Sequence, residues 1–242
     1  MKATTRRLGA LLALGLTLPV QAIELNDDFT LDVLVAAMSD YRTGGVSQTL
    51  NRPALQLDLS LRHSSGLLLG VFTSNVDFDS DTRREYDYYA GIEHSFNEDI
   101  AASLIYYEYD YPKDSAFNYG EWIGVLSAWN ATFGMKYTKE VKPYGDDRSV
   151  LWAGYRFELP WETSLDLRYG YSDAKDPVYV SHDGSTRSTY HDWEVGLNRT
   201  LLDIDWRLAY VDTDLSRAEC QSTQGVDDIC SATVMLSASK LF

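Results

Sequence analysis

Beyond residue 22 the chain is written in short segments whose side chains alternate strictly between apolar and polar. "ALQLDLSLR" (54–62) sets Leu55, Leu57, Leu59 and Leu61 against Gln56, Asp58, Ser60 and Arg62. "SLDLRYGY" (164–171) sets Leu165, Leu167, Tyr169 and Tyr171 against Asp166, Arg168 and Gly170. "DWEVGLN" (192–198) and "IDWRLAY" (204–210) repeat the pattern, with Glu194, Asp205 and Arg207 on the charged side. A period of two is that of a β-strand with unlike faces, and no stretch past residue 22 carries a comparable helical stripe.

Twelve such segments are expected, at about 28–38, 52–62, 67–77, 84–95, 100–110, 119–128, 131–138, 148–158, 164–172, 188–199, 204–213 and 231–242. Their connections alternate in length. Long ones (39–51, 78–83, 111–118, 139–147, 173–187, 214–230) follow short ones (63–66, 96–99, 129–130, 159–163, 200–203). An antiparallel meander with loops at one end and tight turns at the other has this rhythm, and both termini fall at the short-turn end. The expected fold is all-β: a single transmembrane antiparallel up-and-down barrel of about twelve strands, with short periplasmic turns and longer extracellular loops.

Two soluble architectures compete. A sandwich gives no reason for long loops at one end only, and a lipocalin-like barrel turns its apolar face inward around a ligand. Periodicity alone does not say which face points in. Three features favour the membrane form. Charges of both signs sit at mid-strand opposite the apolar faces. Aromatics gather near strand ends: Tyr86, Tyr88, Tyr106, Tyr119, Trp122, Tyr171 and Tyr190 towards the long loops, and Phe96, Trp129, Phe157 and Trp161 towards the short turns. The chain closes on "TVMLSASKLF", an alternating strand ending in Phe242, the terminal aromatic of barrels delivered to the outer-membrane assembly machinery.

The amino terminus supplies an export address. Lys2, Arg6 and Arg7 precede the apolar run Leu8–Leu18 and the small-residue site Val20-Gln21-Ala22, so residues 1–22 read as a cleaved signal peptide and 23–242 as the barrel. The whole chain has 21 Lys+Arg and 36 Asp+Glu; the leader takes three bases and no acid, leaving 18 against 36, or −18. That charge argues against nucleic-acid partners. Cys220 and Cys230 enclose a short polar loop in a chain bound for an oxidising compartment, which points to one local disulfide.

Several separated segments carry a family likeness: "SDYRTGGVSQT" (39–49) with Pro53-Ala54, "GVFTSNVDF" (70–78), "EYDYYAG" (85–91), "FNYGE" (117–121) and "YVDTDL" (210–215). In these, and in the segment after the cysteine pair, the chain resembles the TorF family of porin-like proteins from proteobacterial outer membranes. The resemblance implies a barrel with channel activity and supplies no substrate and no catalytic residue. One departure stands in the first motif, where the family usually has an aromatic and a basic residue before its glycine and this chain has Thr43-Gly44.

By strand parity the lumen candidates are Asp58, Arg62, Asp87, Glu93, Glu121, Lys136, Arg156, Asp166, Arg168, Asp192, Glu194, Asp205 and Arg207, with Asp32 and Glu158 at the same parity. Acids outnumber bases, so a water-filled bore of this make-up favours cations. The opposing reading is a lumen closed by cross-strand ion pairs, leaving a structural or surface-interaction barrel. The first outer loop, with Ser39, Asp40, Tyr41, Arg42, Gly45, Ser47 and Gln48, is followed by no helix and is not a phosphate cradle. Asp77, Asp79 and Asp81 resemble the start of a calcium loop but lack its glycine and closing glutamate. His191 near Ser188 has no nucleophile motif around it, so an outer-membrane hydrolase is a distant third reading and no enzyme is expected. No cofactor is expected. The expected partners are small hydrophilic solutes, outer-membrane lipid, lipopolysaccharide and the assembly machinery.

Overall fold

The computed structural model describes residues 22–141 and 146–242; the expected leader, save Ala22, lies outside the described residues. The first six barrel strands are β1 (Phe29–Met38), β2 (Ala54–His63), β3 (Leu67–Asn75), β4 (Arg84–Ser95), β5 (Ile100–Asp110) and β6 (Tyr119–Ala128). The second six are β7 (Ala131–Val141), β8 (Asp146–Leu159), β9 (Thr163–Asp173), β10 (Thr189–Leu201), β11 (Ile204–Thr213) and β12 (Thr233–Leu241). Each is antiparallel to the next, and β12 pairs with β1 from Ser237↔Met38 to Leu241↔Leu34, which closes the barrel. Phe242 exchanges two backbone hydrogen bonds with Val33 at this seam. Closure leaves no strand edge, which a sheet surrounded by hydrocarbon requires.

The direction of the faces decides between the membrane barrel and the lipocalin-like one. On β2, Leu55 is 66% exposed while Asp58 is 6% exposed. The same contrast holds around the wall: Leu69, Ile92, Leu104, Leu167 and Leu208 face outward, while Asp87, Glu121, Asp192 and Arg207 are buried. Apolar side chains therefore form the outer surface and charges the interior, the inverse of a soluble barrel.

Two expectations need correction. Tyr119 and Tyr190 do not join an outer aromatic girdle. Tyr119 stacks on Tyr109 at 4.4 Å, and Tyr190 is 1% exposed, both on the inward parity of their strands. The 139–147 connection is also shorter than its polar composition suggests, because β7 runs on to Val141 and β8 begins at Asp146.

The short turns have a plain cause. Leu202-Asp203 joins β10 to β11 with both residues at positive φ (57° and 54°), the mirror-image turn whose twist matches that of the flanking strands. The last outer loop holds a helix that alternation gave no sign of, α1 (Arg217–Gln224). Its signal was local. Ser216 accepts from the Glu219 N–H, the Glu219 carboxylate accepts from the Ser216 N–H, and Gly225 ends the helix at φ 74°.

Candidate functional site: a loop-crossed, ion-paired lumen

The first outer loop folds into the barrel. Tyr41 donates its hydroxyl to Glu85 Oε1 at 3.1 Å on β4 and packs near Phe72 of β3. Four residues later the tip reaches the far wall. Tyr190 on β10 donates to the Gly44 carbonyl at 3.0 Å, and Gly45 lies against Thr213 of β11 and Asp192 of β10. β4 and β10 are six strands apart in a ring of twelve, so residues 41–45 cross the bore from one side to the other.

The motif's polar residues hold the loop in this shape. Asp40 accepts from Arg42 Nε (2.6 Å), Ser47 Oγ (2.5 Å) and Thr49 Oγ1 (3.0 Å). Arg42 also donates to the carbonyls of Gly45 and Ser231 and to Asn51 Oδ1. Arg42 is thus spent on the loop itself, and a charge-assisted network of this kind is rigid. Gln48 donates through Nε2 to the Val46 carbonyl, and its own carbonyl accepts from the Asp77 N–H. Ser39 ties the loop's root to β12 through Leu236.

The last outer loop clamps the first. The Cys220–Cys230 disulfide forms, and its sulfurs sit in one apolar cluster with Val46 and Ile229. The Ser47 N–H donates to the Ile229 carbonyl at 2.9 Å, and Thr213 Oγ1 donates to the Cys230 carbonyl at 2.9 Å. Apolar burial and backbone bonds thus join two loops that are remote in sequence.

Below the crossing the wall is ion-paired. Arg62 bridges Asp32 and Glu93, linking β1, β2 and β4. Lys136 pairs with Glu121 at 3.2 Å, and Arg168 with Asp192. The largest network lies near the short turns. Arg156 holds Asp166 through two bonds of 2.7 Å, while Arg207 reaches Asp166, Glu194 and the Asn198 carbonyl oxygen. Gly196 leaves the room this needs: a Cβ there would lie 2.3 Å from the Arg207 Cζ. Asp205 accepts from Thr200 at 2.6 Å instead of from a base.

The β2–β5 side of the interior is packed with rings. Tyr89 donates to Asp58 at 2.7 Å, and Tyr111 donates to Glu85 at 2.8 Å. Tyr41, Phe72, Tyr89, Tyr109 and Tyr111 belong to one buried cluster with Leu68 and Ile105. The candidate lumen acids Asp58, Asp87 and Glu121 are enclosed here, and Glu85 with them, whereas Arg156, Asp166, Arg168 and Glu194 on the β8–β10 side are only half-buried. Glu85 and Arg148 were missed as lumen residues, although both have the parity of their inward neighbours; each lies at the outer end of its strand.

A family model described as a bacterial protein of unknown function, Gcw_chp, matches residues 23–242. The chain belongs to that family. No curated protein matches it by sequence. Among solved structures, the KdgM porin aligns over 88% of this chain and 98% of its own, at 10% identity and a TM-score of 0.52. OccAB3 of Acinetobacter baumannii aligns over 91% of this chain and 66% of its own, at 9% identity and a TM-score of 0.44. OprD of Pseudomonas aeruginosa gives 91% and 68%, at 10% identity and 0.43. The KdgM likeness is one of fold.

The remaining candidates lie outside the bore. Asp77 pairs with Arg52 and Arg83 and caps the Asp79 N–H, and among the described residues no group of acids, histidines or cysteines is placed to hold a metal. His191 stacks outward on Tyr169 and lies 5.2 Å from Tyr171.

At the outer face Arg187 clasps Glu219 of α1 through bonds of 2.7 and 3.1 Å. Burial alone would raise the Glu219 carboxyl, but the bonds from Arg187 and Ser216 hold it down at about 2. A depressed carboxyl adds stability that is complete above its unfolded value of about 4.3 and is lost as pH falls through the folded one. Amide exchange of residues 216–224, corrected for intrinsic rate, is therefore expected to quicken from pH 5 to pH 2.5. Glu219→Gln removes that dependence; an unchanged pH profile in the variant would show that another group governs the loop.

Proposed function

We propose that the protein is an outer-membrane channel for passive diffusion of small hydrophilic solutes. The observation that carries this reading is the closed twelve-stranded barrel with an apolar exterior and a charged interior. The KdgM fold likeness and the resemblance to the TorF family support it. The passage runs along the half-buried β8–β10 side, since the β2–β5 side is filled by rings. A cation preference follows from the surplus of acids over bases beyond the expected leader, 36 against 18. Export by the leader places the chain in the cell envelope, and Phe242 at the seam serves recognition by the assembly machinery. Lipopolysaccharide meets the acidic outer loops through bridging cations.

A second reading has its own observation. Residues 41–45 cross the bore, and a barrel held shut by that crossing is a structural or surface-interaction protein. Planar-bilayer recording separates the two: the channel reading expects discrete conductance steps and, in a salt gradient, a reversal potential on the cation side. Silence at all voltages would establish the closed barrel, and an anion-side reversal potential would refute the selectivity.

A further inference from the structure

Every other inward base of the described lumen is matched to a carboxylate, and Arg148 is not. Arg62, Lys136, Arg156, Arg168 and Arg207 each contact at least one acid. Arg148, inward on β8, has one described hydrogen bond, from Nη2 to the Tyr190 hydroxyl at a long 3.3 Å. Its Nε is buried and has no partner among the described residues. The nearby acid Glu121 is already engaged by Lys136 at 3.2 Å, Thr138 at 2.8 Å and Tyr109 at 3.1 Å.

A second orphan stands close by. Ser172 on β9 lies opposite Val150 of β8 and Tyr190 of β10, one row below Arg148 on the inward face. It is fully buried, and its hydroxyl also has no partner among the described residues. Tyr190 has spent its own proton on the Gly44 carbonyl, so it meets Arg148 as an acceptor. Two buried donors without a full set of partners thus sit in adjacent rows of the inner face, beside the loop tip that Tyr190 holds.

A buried acid in this position would take up a proton and become neutral. Arginine has no such escape, because its guanidinium does not deprotonate in proteins. An unmet buried N–H on a fixed charge calls for an acceptor that is itself negative. With Nη2 turned to Tyr190, the Nε N–H is the donor left for one oxygen of a carboxylate.

We propose that Arg148 and Ser172, braced by Tyr190, form a binding site for the carboxylate of a solute entering the lumen. One carboxylate oxygen accepts from Arg148 Nε and the other from the Ser172 hydroxyl. The site lies under Gly44, so a bound solute is held just past the loop crossing. The proposal rests on the channel reading for its route of entry. A local pairing site is compatible with a cation-favouring mean field, since the first selects one group and the second acts on all ions.

The test is calorimetric titration of the full gene product, exported and extracted from membranes in detergent, with succinate as probe and phosphate and chloride as separate arms. Succinate is expected to bind the parent protein and to bind Arg148→Met at least about tenfold more weakly, the loss of one charge-assisted contact. Ser172→Ala is expected to lose roughly threefold, and Arg148→Lys to stay weak because an ammonium has no N–H fixed at the Nε position. Phosphate matching succinate would make the site one for oxyanions in general, which overturns the carboxylate assignment. Equal affinities in parent and Arg148→Met, or no succinate binding at all, would overturn the site. Should Arg148→Met not fold, as read by heat-modifiable gel mobility, Ser172→Ala decides. Binding without bilayer conductance would sink the channel and keep the site; conductance with no binding would do the reverse.

Discussion

Gly45→Val is expected to expel the first outer loop from the bore. Gly45 has φ +79°, a conformation that a β-branched residue adopts only under strain. A Cβ there would also lie 2.3 Å from Thr213 Cγ2 and 3.3 Å from Asp192 Cβ. Backbone strain and overpacking each cost about 1–3 kcal/mol. Against that sum the tip is held by the Tyr190 bond to Gly44, the Arg42 bonds to Gly45 and Ser231, the Ser47 bond to Ile229 and the burial of Val46 against the disulfide. Two measurements follow. Single-channel conductance should rise above that of the parent protein. Trypsin should now cut after Arg42, whose side chain is 3% exposed in the parent, while the exposed Arg52 precedes Pro53 and is not cut in either protein. Continued protection of Arg42 together with parental conductance would mean that the loop does not constrict the bore.

Arg207→Met is expected to be the most destabilising single change in the wall. The guanidinium, 9% exposed, serves Asp166, Glu194 and Asn198 at once. Removing it leaves Glu194 without its described partner and Asp166 with Arg156 and the Asn198 amide. Breaking a fully buried pair from one side costs about 3–5 kcal/mol; the half-buried Glu194 is expected to lose less than that, because lumen water reaches its charge. The midpoint of urea unfolding in lipid vesicles should fall accordingly. Adding Glu194→Gln should recover part of the loss, since the orphaned charge goes with it. A double variant as unstable as the single one would place the energy in packing over Gly196 and not in the charges.

The strands were legible because alternation is a local property. Leu55, Leu57, Leu59 and Leu61 must share a face of β2 whatever else the chain does, and the long and short connections follow from where that pattern stops. The disulfide was legible from two cysteines and the expected export signal. Other features escaped for identifiable reasons. Helix α1 is a single capped unit on a polar loop, too short to print an apolar stripe, and only "SRAE" marks its start. Tyr119 and Tyr190 have the composition of girdle residues, but parity turns them inward, so residue type misled where register was the better guide.

The acid count shows the same limit. Strand parity brings Asp58, Asp87 and Glu121 to the inner face, yet it does not say that rings from β3, β5 and the first loop enclose them. Nor does it show that Arg148 lacks the carboxylate partner its fellow bases have. Pairing depends on which strands are neighbours and at what height, quantities set by closure of the sheet.

The motif "SDYRTGGVSQT" marks the boundary most sharply. By itself the sequence determined that the chain runs in twelve alternating segments and that its two glycines permit a turn, since both follow from backbone stereochemistry and a period of two. Only the tertiary structure decided that the turn lies inside the barrel, with Tyr41 on one wall, Gly44 on the opposite one and the Cys220–Cys230 loop clamped above. Those contacts join residues more than forty to nearly two hundred positions apart, and local pattern carries no information about partners at that distance.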